Sequence, residues 1–285
     1  MSISIIIAHY SESDNFNTAT KLLKKTIRSI NRQYFKSNYE IIVCNDGSKW
    51  SKEISDVKKI MIYDYNQIKQ IALLKNFDVD KFIVRYPTQN FGKAELIHLA
   101  IKLSKYKNLI VLDDEHSLLS LKSLQKFDKY FKKYDYIRGR LIFGNGRPTS
   151  YFSTEVQGTT YGFNKDLYYK FGGFPKFLFS DGIGDGNVMN WEIYRLYSKF
   201  KFIKACFAGD IITRDLKITR WKSINLTSES YSIRKTKFTD NFVDYYGINP
   251  WFNNGRKKYL WMNFASITSI GSEIIFLPRI IIFFI

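Results

Sequence analysis

The chain has 285 residues, a formal net charge of +18, 45% hydrophobic residues and 25% charged residues. This length suits one large domain or a domain with an extension, and the composition is that of a globular protein. The positive charge favours an acidic partner: nucleic acid, anionic lipid, or a phosphorylated or acidic substrate. Nucleic acid is disfavoured because the sequence has no recognisable nucleic-acid-binding motif and no isolated basic tail.

The cysteines and the N-terminus indicate a compartment. Cys44 and Cys206 each lie in an apolar stretch, and their number does not suggest a disulfide framework. Residues 1–7 are apolar without a basic flank, and the sequence becomes polar at His9, which is typical of a first strand rather than of a signal peptide. We therefore expect a cytoplasmic protein.

Apolar runs and helical periodicity alternate through the first half of the chain. Strands are predicted at residues 3–8, 39–44, 81–85 and 109–112. Amphipathic helices are predicted to begin near residues 17, 93 and 120, the last of them extending to residue 134. Because strands and helices alternate, we predict an α/β fold: a mainly parallel sheet with helices on both faces.

The second half carries less regular signals. A predicted strand at 136–143 precedes a segment rich in Gly, Thr and Tyr, 151–163, which fits either a strand or a binding loop. Asn164 can cap a short helix, and the Gly-Gly-Phe-Pro segment at 172–175 ends it. The remaining predicted elements are an acidic, Gly-rich loop at 180–186, a helix at 188–200 and an apolar segment at 202–212.

Residues 216–285 differ in character from the rest of the chain. Lysines, aromatic residues and hydroxyl residues mix there without a clear period, and the tail from 274 to 285 is apolar. This tail is shorter than the roughly 20 apolar residues of a bilayer span, and Pro278 and Arg279 interrupt it. It fits an interfacial membrane anchor, or a segment packed on its own domain or in an oligomer.

The stretch 107–117 is the most informative one. Its apolar run ends in a cluster of three acids and a histidine: Asp113, Asp114, Glu115 and His116. Unpaired carboxylates are costly to bury, so the cluster is expected at the carboxyl end of the strand, where open α/β sheets bind ligands. Crowded carboxylates repel unless a cation lies among them, which favours a metal-bound phosphorylated substrate. The alternative is an acidic turn that caps the next helix.

Three further polar segments follow predicted strands or open a predicted helix. They are the loop from His9 to residue 15, the turn at 45–48 and the helix start at 90–93. In a parallel sheet these segments and the acidic cluster emerge at one edge. Together they can hold a base, a ribose, a diphosphate and a metal.

This set resembles the family 2 glycosyltransferases of the GT-A fold. The turn Val43-Cys44-Asn45-Asp46-Gly47-Ser48 looks like the family's V-D-D-G-S turn. Asn90-Phe91-Gly92-Lys93-Ala94-Glu95-Leu96 looks like its N-x-G-x-x-x-A helix start, with Leu96 at the position of the last Ala. The segment 113–115 looks like its metal-binding D-x-D, read either as Asp113 with Glu115 or, in a D-D-x variant, as Asp113 with Asp114. Gly172-Gly173-Phe174-Pro175 resembles its G-G-F-(P/D) segment. The resemblance covers residues 1–215.

The resemblance implies roles for individual residues. A nucleotide diphosphate sugar would be bound by Ala8, His9, Tyr10, Asn45, Asp46, Arg85, Asn90, Gly92, Lys93, Asp113 and Asp114. A divalent cation, Mn²⁺ or Mg²⁺, would be bound by Asp113, Asp114, Glu115 and His116. The catalytic base would be Asp185, whose flanking glycines permit close approach of a substrate, followed in preference by Glu192 and Asp181.

The resemblance also implies a domain plan and an activity. Residues 1–215 would form the catalytic domain, with a donor half at 1–118 and an acceptor half at 119–215, and 216–285 would be an extension. The enzyme would transfer a sugar with inversion to a glycan or lipid-linked acceptor in surface polysaccharide synthesis, at the inner face of the membrane. Two alternatives are a nucleotidyltransferase-type enzyme and a non-catalytic protein that binds polyanions or membrane surfaces.

Overall fold

A computed structural model describes residues 1–9, 16–45, 83–84, 93–142, 146, 160–175, 189, 203–216, 240, 244 and 263–264. Strands and helices alternate through most of these residues, as the sequence predicts. In chain order the elements are β1 Ile3–His9, α1 Phe16–Asn31, β2 Tyr39–Asn45, β3 Ile83–Val84, α2 Lys93–Leu103, β4 Asn108–Leu112, β5 His116–Leu118, α3 Ser123–Phe131, β6 Tyr136–Ile142, β7 Thr160–Asn164, α4 Lys165–Lys170, β8 Ala205–Asp215 and β9 Asn263–Phe264.

The described strands form a single sheet in the order β3-β2-β1-β4-β7-β6-β8-β5, with β9 also paired to β8. The pairs β1–β2, β1–β4, β2–β3, β6–β8 and β8–β9 are parallel. Strands β7 and β5 run against their neighbours. The predicted mainly parallel sheet is confirmed, and β7 adds an antiparallel strand in its middle.

Helices cover both faces of the sheet, as predicted. One face carries a core with α2 and α4, which includes Leu109 and Val111 of β4. The other face carries a core with α1 and α3, which includes Ile110 and Leu112 of the same strand. Successive side chains of a strand point to opposite faces, so a strand covered on both sides must be apolar throughout. This explains the uninterrupted apolar run that precedes the acids.

The sheet curls so that its last strand returns to α1. Strand β5 stands five places from β1 in the sheet, yet Leu118 of β5 joins the same core as the apolar side chains of α1. Ser29 Oγ accepts a hydrogen bond from the Leu118 N–H at 3.0 Å, and Thr26 Oγ1 donates to the Asp114 carbonyl at 2.8 Å. Helix α1 therefore fixes both the acidic turn and the strand that follows it.

Two predicted boundaries can be compared with the structure. The helix predicted at 120–134 extends only over Ser123–Phe131, because a turn precedes it in which the Ser123 N–H donates to the Ser120 carbonyl. Asn164 caps α4 as predicted: its Oδ1 accepts from the Asp166 N–H. Gly172 and Gly173 then adopt positive φ angles of 88° and 82°, which a glycine tolerates without strain.

Candidate active site

The carboxyl ends of β1 and β4 bring His9 and Asp114 together. The parallel register pairs Ile6 with Val111, and three more residues along each strand direction lead to His9 and Asp114. His9 Nδ1 lies 2.6 Å from Asp114 Oδ2, and the His9 side chain is buried. A hydrogen bond of this length between an imidazole and a carboxylate is strong when the imidazole is charged. The pair links the end of the first strand to the acidic turn.

Asp113 is contacted by Lys93, one of the residues expected to bind the nucleotide diphosphate sugar. Lys93, the first residue of α2, places Nζ 2.7 Å from Asp113 Oδ1. The Lys93 side chain is partly exposed, whereas the Asp113 Oδ1 atom is buried. An ammonium group in this position can pair with a phosphate oxygen as readily as with a carboxylate.

The chain turns sharply after Asp113 and enters β5. The His116 N–H donates to the Asp113 carbonyl at 3.1 Å, which closes a four-residue turn. Strand β5 pairs antiparallel with β8 and places His116 directly opposite Asp215. Strand β5 was not predicted: the sequence analysis names His116 only as the residue next to the three acids.

The imidazole of His116 lies between carboxylates. Its Nδ1 is 3.5 Å from Asp113 Oδ2 and its Nε2 is 4.0 Å from Asp215 Oδ1. The side chain is fully buried, and within the described part of the chain neither ring nitrogen has a hydrogen-bond partner. A buried polar group in this condition raises the free energy of the folded state unless a ligand satisfies it.

Glu115, His116 and Asp215 form the group best suited to a cation among the described residues. One ligand atom from each of the three lies within 4.8 Å of the others, and all three residues are buried. Two buried carboxylates this close repel each other, and a divalent cation would relieve that repulsion and occupy the imidazole nitrogen as well. The donor set therefore fits a metal ion.

Asp215 was not among the residues that sequence reasoning selected for the site. It is the last residue of β8, an apolar strand whose carboxyl end lies at the same edge as that of β4. The rule that placed the acids of 113–115 at this edge applies to it equally. The available signal was an acid three residues after the predicted apolar segment 202–212.

A second network supports the Gly-Gly-Phe-Pro segment. The Phe174 N–H donates to Tyr168 Oη at 3.1 Å, and Tyr168 Oη lies 2.7 Å from His98 Nδ1. Burial raises the pKa of Tyr168, while burial and the nearby Lys102 charge lower the pKa of His98. Both shifts favour the neutral groups, which share the hydrogen bond between Tyr168 Oη and His98 Nδ1. His98 is thus a hydrogen-bonded structural histidine.

Of the remaining predicted site residues, the structure describes only Ala8 and Asn45. Ala8 is half-buried against the core of the α2 face, and Asn45 is the last residue of β2, beside His9 in the register. Eight other predicted residues lie outside the described part of the chain: Tyr10, Asp46, Arg85, Asn90, Gly92, Asp181, Asp185 and Glu192.

Comparison with solved structures gives likenesses at low sequence identity. The mannosyltransferase PcManGT from Pyrobaculum calidifontis, in complex with GDP-Man and Mn²⁺, matches with a TM-score of 0.56 and 11% identity, over 98% of this chain and 79% of that one. S. aureus TarS 1-349 matches with a TM-score of 0.47 and 14% identity, over 75% and 58%. The same protein in complex with UDP-GlcNAc matches with a TM-score of 0.43 and 14% identity, over 60% and 47%. The chain thus spans about half the length of these TarS chains.

Comparison with sequence families is more direct. No curated protein matches the chain. The model of glycosyl transferase family 2 matches residues 4–204, which is well over half of the chain and includes β1, the acidic turn and the Gly-Gly-Phe-Pro segment. The resemblance seen in the sequence motifs is confirmed, together with the α/β architecture described above. The chain belongs to glycosyl transferase family 2 and has the GT-A fold.

Proposed function

We propose that the protein is a metal-dependent, inverting glycosyltransferase that moves a sugar from a nucleotide diphosphate sugar to a hydroxyl group of a glycan or lipid-linked acceptor. The observation that carries this proposal is the convergence of the acidic turn, Lys93 and Asp215 at the carboxyl edge of the sheet. Family membership and the fold shared with PcManGT, whose structure contains GDP-Man and Mn²⁺, support it.

The donor would be bound by charged groups already held in place at this edge. Glu115, His116 and Asp215 would hold the divalent cation, Mn²⁺ or Mg²⁺, with Asp113 and Asp114 beside them. When bound, such a cation neutralises charge on a departing diphosphate. Lys93 would add a positive charge from the start of α2, and preorganised charges of this kind stabilise a leaving group without reorganisation.

The acceptor would lose its proton to a carboxylate on the other side of the sugar. As the acceptor oxygen bonds to the anomeric carbon, the bond from that carbon to the diphosphate oxygen breaks, and the configuration inverts. Asp185 is our first candidate for the base that takes the hydroxyl proton, with Glu192 and Asp181 next. The residues proposed for the base and ribose of the donor are Tyr10, Asn45, Asp46, Arg85, Asn90 and Gly92.

The net positive charge and the apolar tail support a proposal for the cellular setting. A strongly basic chain with an apolar tail at 274–285 suits synthesis of a surface polysaccharide on the cytoplasmic side of a membrane, with the tail as a peripheral contact. That tail lies outside the described residues. Among the helices that the structure describes, none is long and apolar enough to cross a bilayer.

A thermal-shift screen tests the proposal. Nucleotide diphosphates and their sugars are added with and without Mn²⁺ to the wild type and to Asp113→Asn and Asp215→Asn variants. A ligand that binds only the folded state raises the melting temperature. We expect a metal-dependent gain with one nucleotide, reduced in both variants and retained in Asp166→Asn, a matched change at an exposed acid far from the edge. No gain with any donor would refute the proposal.

A further inference from the structure

Helix α1 carries an exposed stripe made almost entirely of cations. The exposed positions on its surface are three or four residues apart and so share one face of the helix: Thr18, Lys21, Lys25, Arg28 and, just past its end, Arg32. The helix contains no acidic residue. Among the described residues no carboxylate forms an ion pair with these four cations, which makes the stripe a concentrated positive surface.

Exposed apolar side chains lie beside the C-terminal half of this stripe, from Lys25 to Arg32. Leu119 and Leu121, in the segment between β5 and α3, are 46% and 41% exposed, and Tyr34 is 62% exposed. The Tyr34 N–H donates to the Leu121 carbonyl at 2.7 Å, so the two are neighbours. A groove of about 290 Å³ separates these leucines from Lys25, Arg28 and Arg32. We call this combination the α1 basic groove.

The α1 basic groove lies next to the candidate active site. Ser117 and Leu118, which line the groove, directly follow His116 in β5. Thr26, between the cationic positions of α1, holds the acidic turn through the Asp114 carbonyl. Whatever occupies the groove is therefore positioned relative to the carboxyl edge of the sheet.

We infer that the α1 basic groove docks the protein on an anionic phospholipid surface. Cations of the stripe would contact headgroup phosphates, and the exposed leucines and Tyr34 would enter the boundary between headgroups and acyl chains. A soluble polyanion fits less well, because it offers nothing to the apolar side chains. The inference concerns a different part of the chain from the apolar tail, and it does not rest on the proposed sugar transfer.

Vesicle sedimentation with the full chain tests the inference. The probes are phosphatidylcholine vesicles with and without about a third of phosphatidylglycerol, which supplies the anionic charge. The variant Lys25→Glu/Arg28→Glu/Arg32→Glu removes the cationic side of the groove. Its matched control, Lys102→Glu/Lys105→Glu/Lys204→Glu, makes the same charge change at exposed positions near the opposite edge of the sheet. A thermal melt of both variants checks that they fold.

The expected result is selective loss of binding to the anionic vesicles. Because each cation near an anionic surface strengthens binding about fivefold, the groove variant should partition at least about 100-fold more weakly than its control. A Leu119→Ser/Leu121→Ser variant should also bind vesicles several-fold more weakly while binding inorganic polyphosphate as the wild type does.

Two outcomes overturn the inference. Equal vesicle partition of the groove variant and its control would show that the basic groove does not direct binding, whatever the tail contributes. Unchanged vesicle binding of the leucine variant, together with loss of polyphosphate binding in the groove variant, would identify a site for soluble polyanions instead.

Discussion

The two edges of the sheet both contain buried acids but satisfy them by different means. At the amino edge Glu40 is 2% exposed and lies beside Ser4 in the β1–β2 register. The Ser4 hydroxyl donates to Glu40 Oε1 at 2.6 Å, and the Lys105 N–H donates to the same oxygen at 2.5 Å. Both donors are neutral groups that the fold itself holds in place, while Glu40 Oε2 has no hydrogen-bond partner among the described residues.

At the carboxyl edge two acids of the turn form ion pairs, and the imidazole beside them has no hydrogen-bond partner among the described residues. Asp113 faces Lys93, and Asp114 faces His9. The His116 imidazole, buried between acids, has no hydrogen bond to any residue that the structure describes. These contacts can be exchanged for a cation or a phosphate without breaking a backbone hydrogen bond.

The comparison separates a structural acid from acids available to a ligand. A carboxylate with neutral, backbone-held donors gains little from a metal, and its removal leaves those donors unsatisfied. A cluster of carboxylates around an unbonded imidazole is instead stabilised by a ligand, as functional sites often are. Burial alone does not distinguish the two cases, because Glu40 and Glu115 are almost equally buried.

The largest effect on stability is expected at the amino edge. Glu40→Ala removes the acceptor of the buried Ser4 hydroxyl and of the part-buried Lys105 N–H, so we expect the free energy of unfolding to fall by about 3 kcal/mol. Urea unfolding at constant slope measures this loss. The Mn²⁺-dependent gain in melting temperature should persist. Asp166→Ala, at an exposed acid, should change stability by less than about 0.5 kcal/mol. A loss at Glu40 no larger than that of this control would contradict the distinction.

A smaller loss of stability is expected when the neutral hydrogen bonds of Tyr168 are removed. Tyr168→Phe leaves the Phe174 N–H without its acceptor and should lower the free energy of unfolding by about 1–2 kcal/mol. Tyr169→Phe is the matched control, because the neighbouring tyrosine is half exposed. Equal urea midpoints for the two variants would mean that the Tyr168 hydroxyl does not stabilise the Gly-Gly-Phe-Pro segment.

The opposite sign is expected at His116. His116→Leu replaces a buried imidazole, which has no hydrogen bond to a described residue, by an apolar side chain. The metal-free protein should therefore keep its stability or gain up to about 1 kcal/mol. The gain in melting temperature with Mn²⁺ should disappear, since one ligand is lost. If the free energy of unfolding of the metal-free variant fell by more than about 2 kcal/mol, His116 would be a structural group like Glu40.

The sequence predicts the central strands because their physical signal is local. Strands β1, β2 and β4 are branched, apolar runs covered on both faces, and their observed ends lie within one residue of prediction. The position of the acidic turn follows from the end of β4. Its contact with Lys93 follows from the helix start being at the same edge. These parts of the site require no knowledge of distant pairing.

The rest of the site depends on pairing that no local pattern reveals. Strand β5 has only three residues and no periodicity, and its partner Asp215 lies about a hundred residues further along the chain. The two meet because the sheet curls and α1 holds β5 against it. The antiparallel insertion of β7 has the same origin: its Gly- and Thr-containing sequence is equally compatible with a loop.

The smallest effect tests the neutral network through pH. The pKa of His98 lies below 6.5 because burial, and secondarily Lys102, disfavour the charged imidazole. As pH falls through the unfolded-state value, the unfolded chain takes up the proton first, so the free energy of unfolding decreases. The contribution should be well under about 1 kcal/mol, since His98 is partly exposed and solvent screens it. His98→Asn keeps a hydrogen-bond partner for the Tyr168 hydroxyl without titrating. Melting temperatures at about pH 7 and pH 5 should therefore differ less in this variant than in the wild type. An identical difference would mean that the pKa of His98 is the same in the folded and unfolded states.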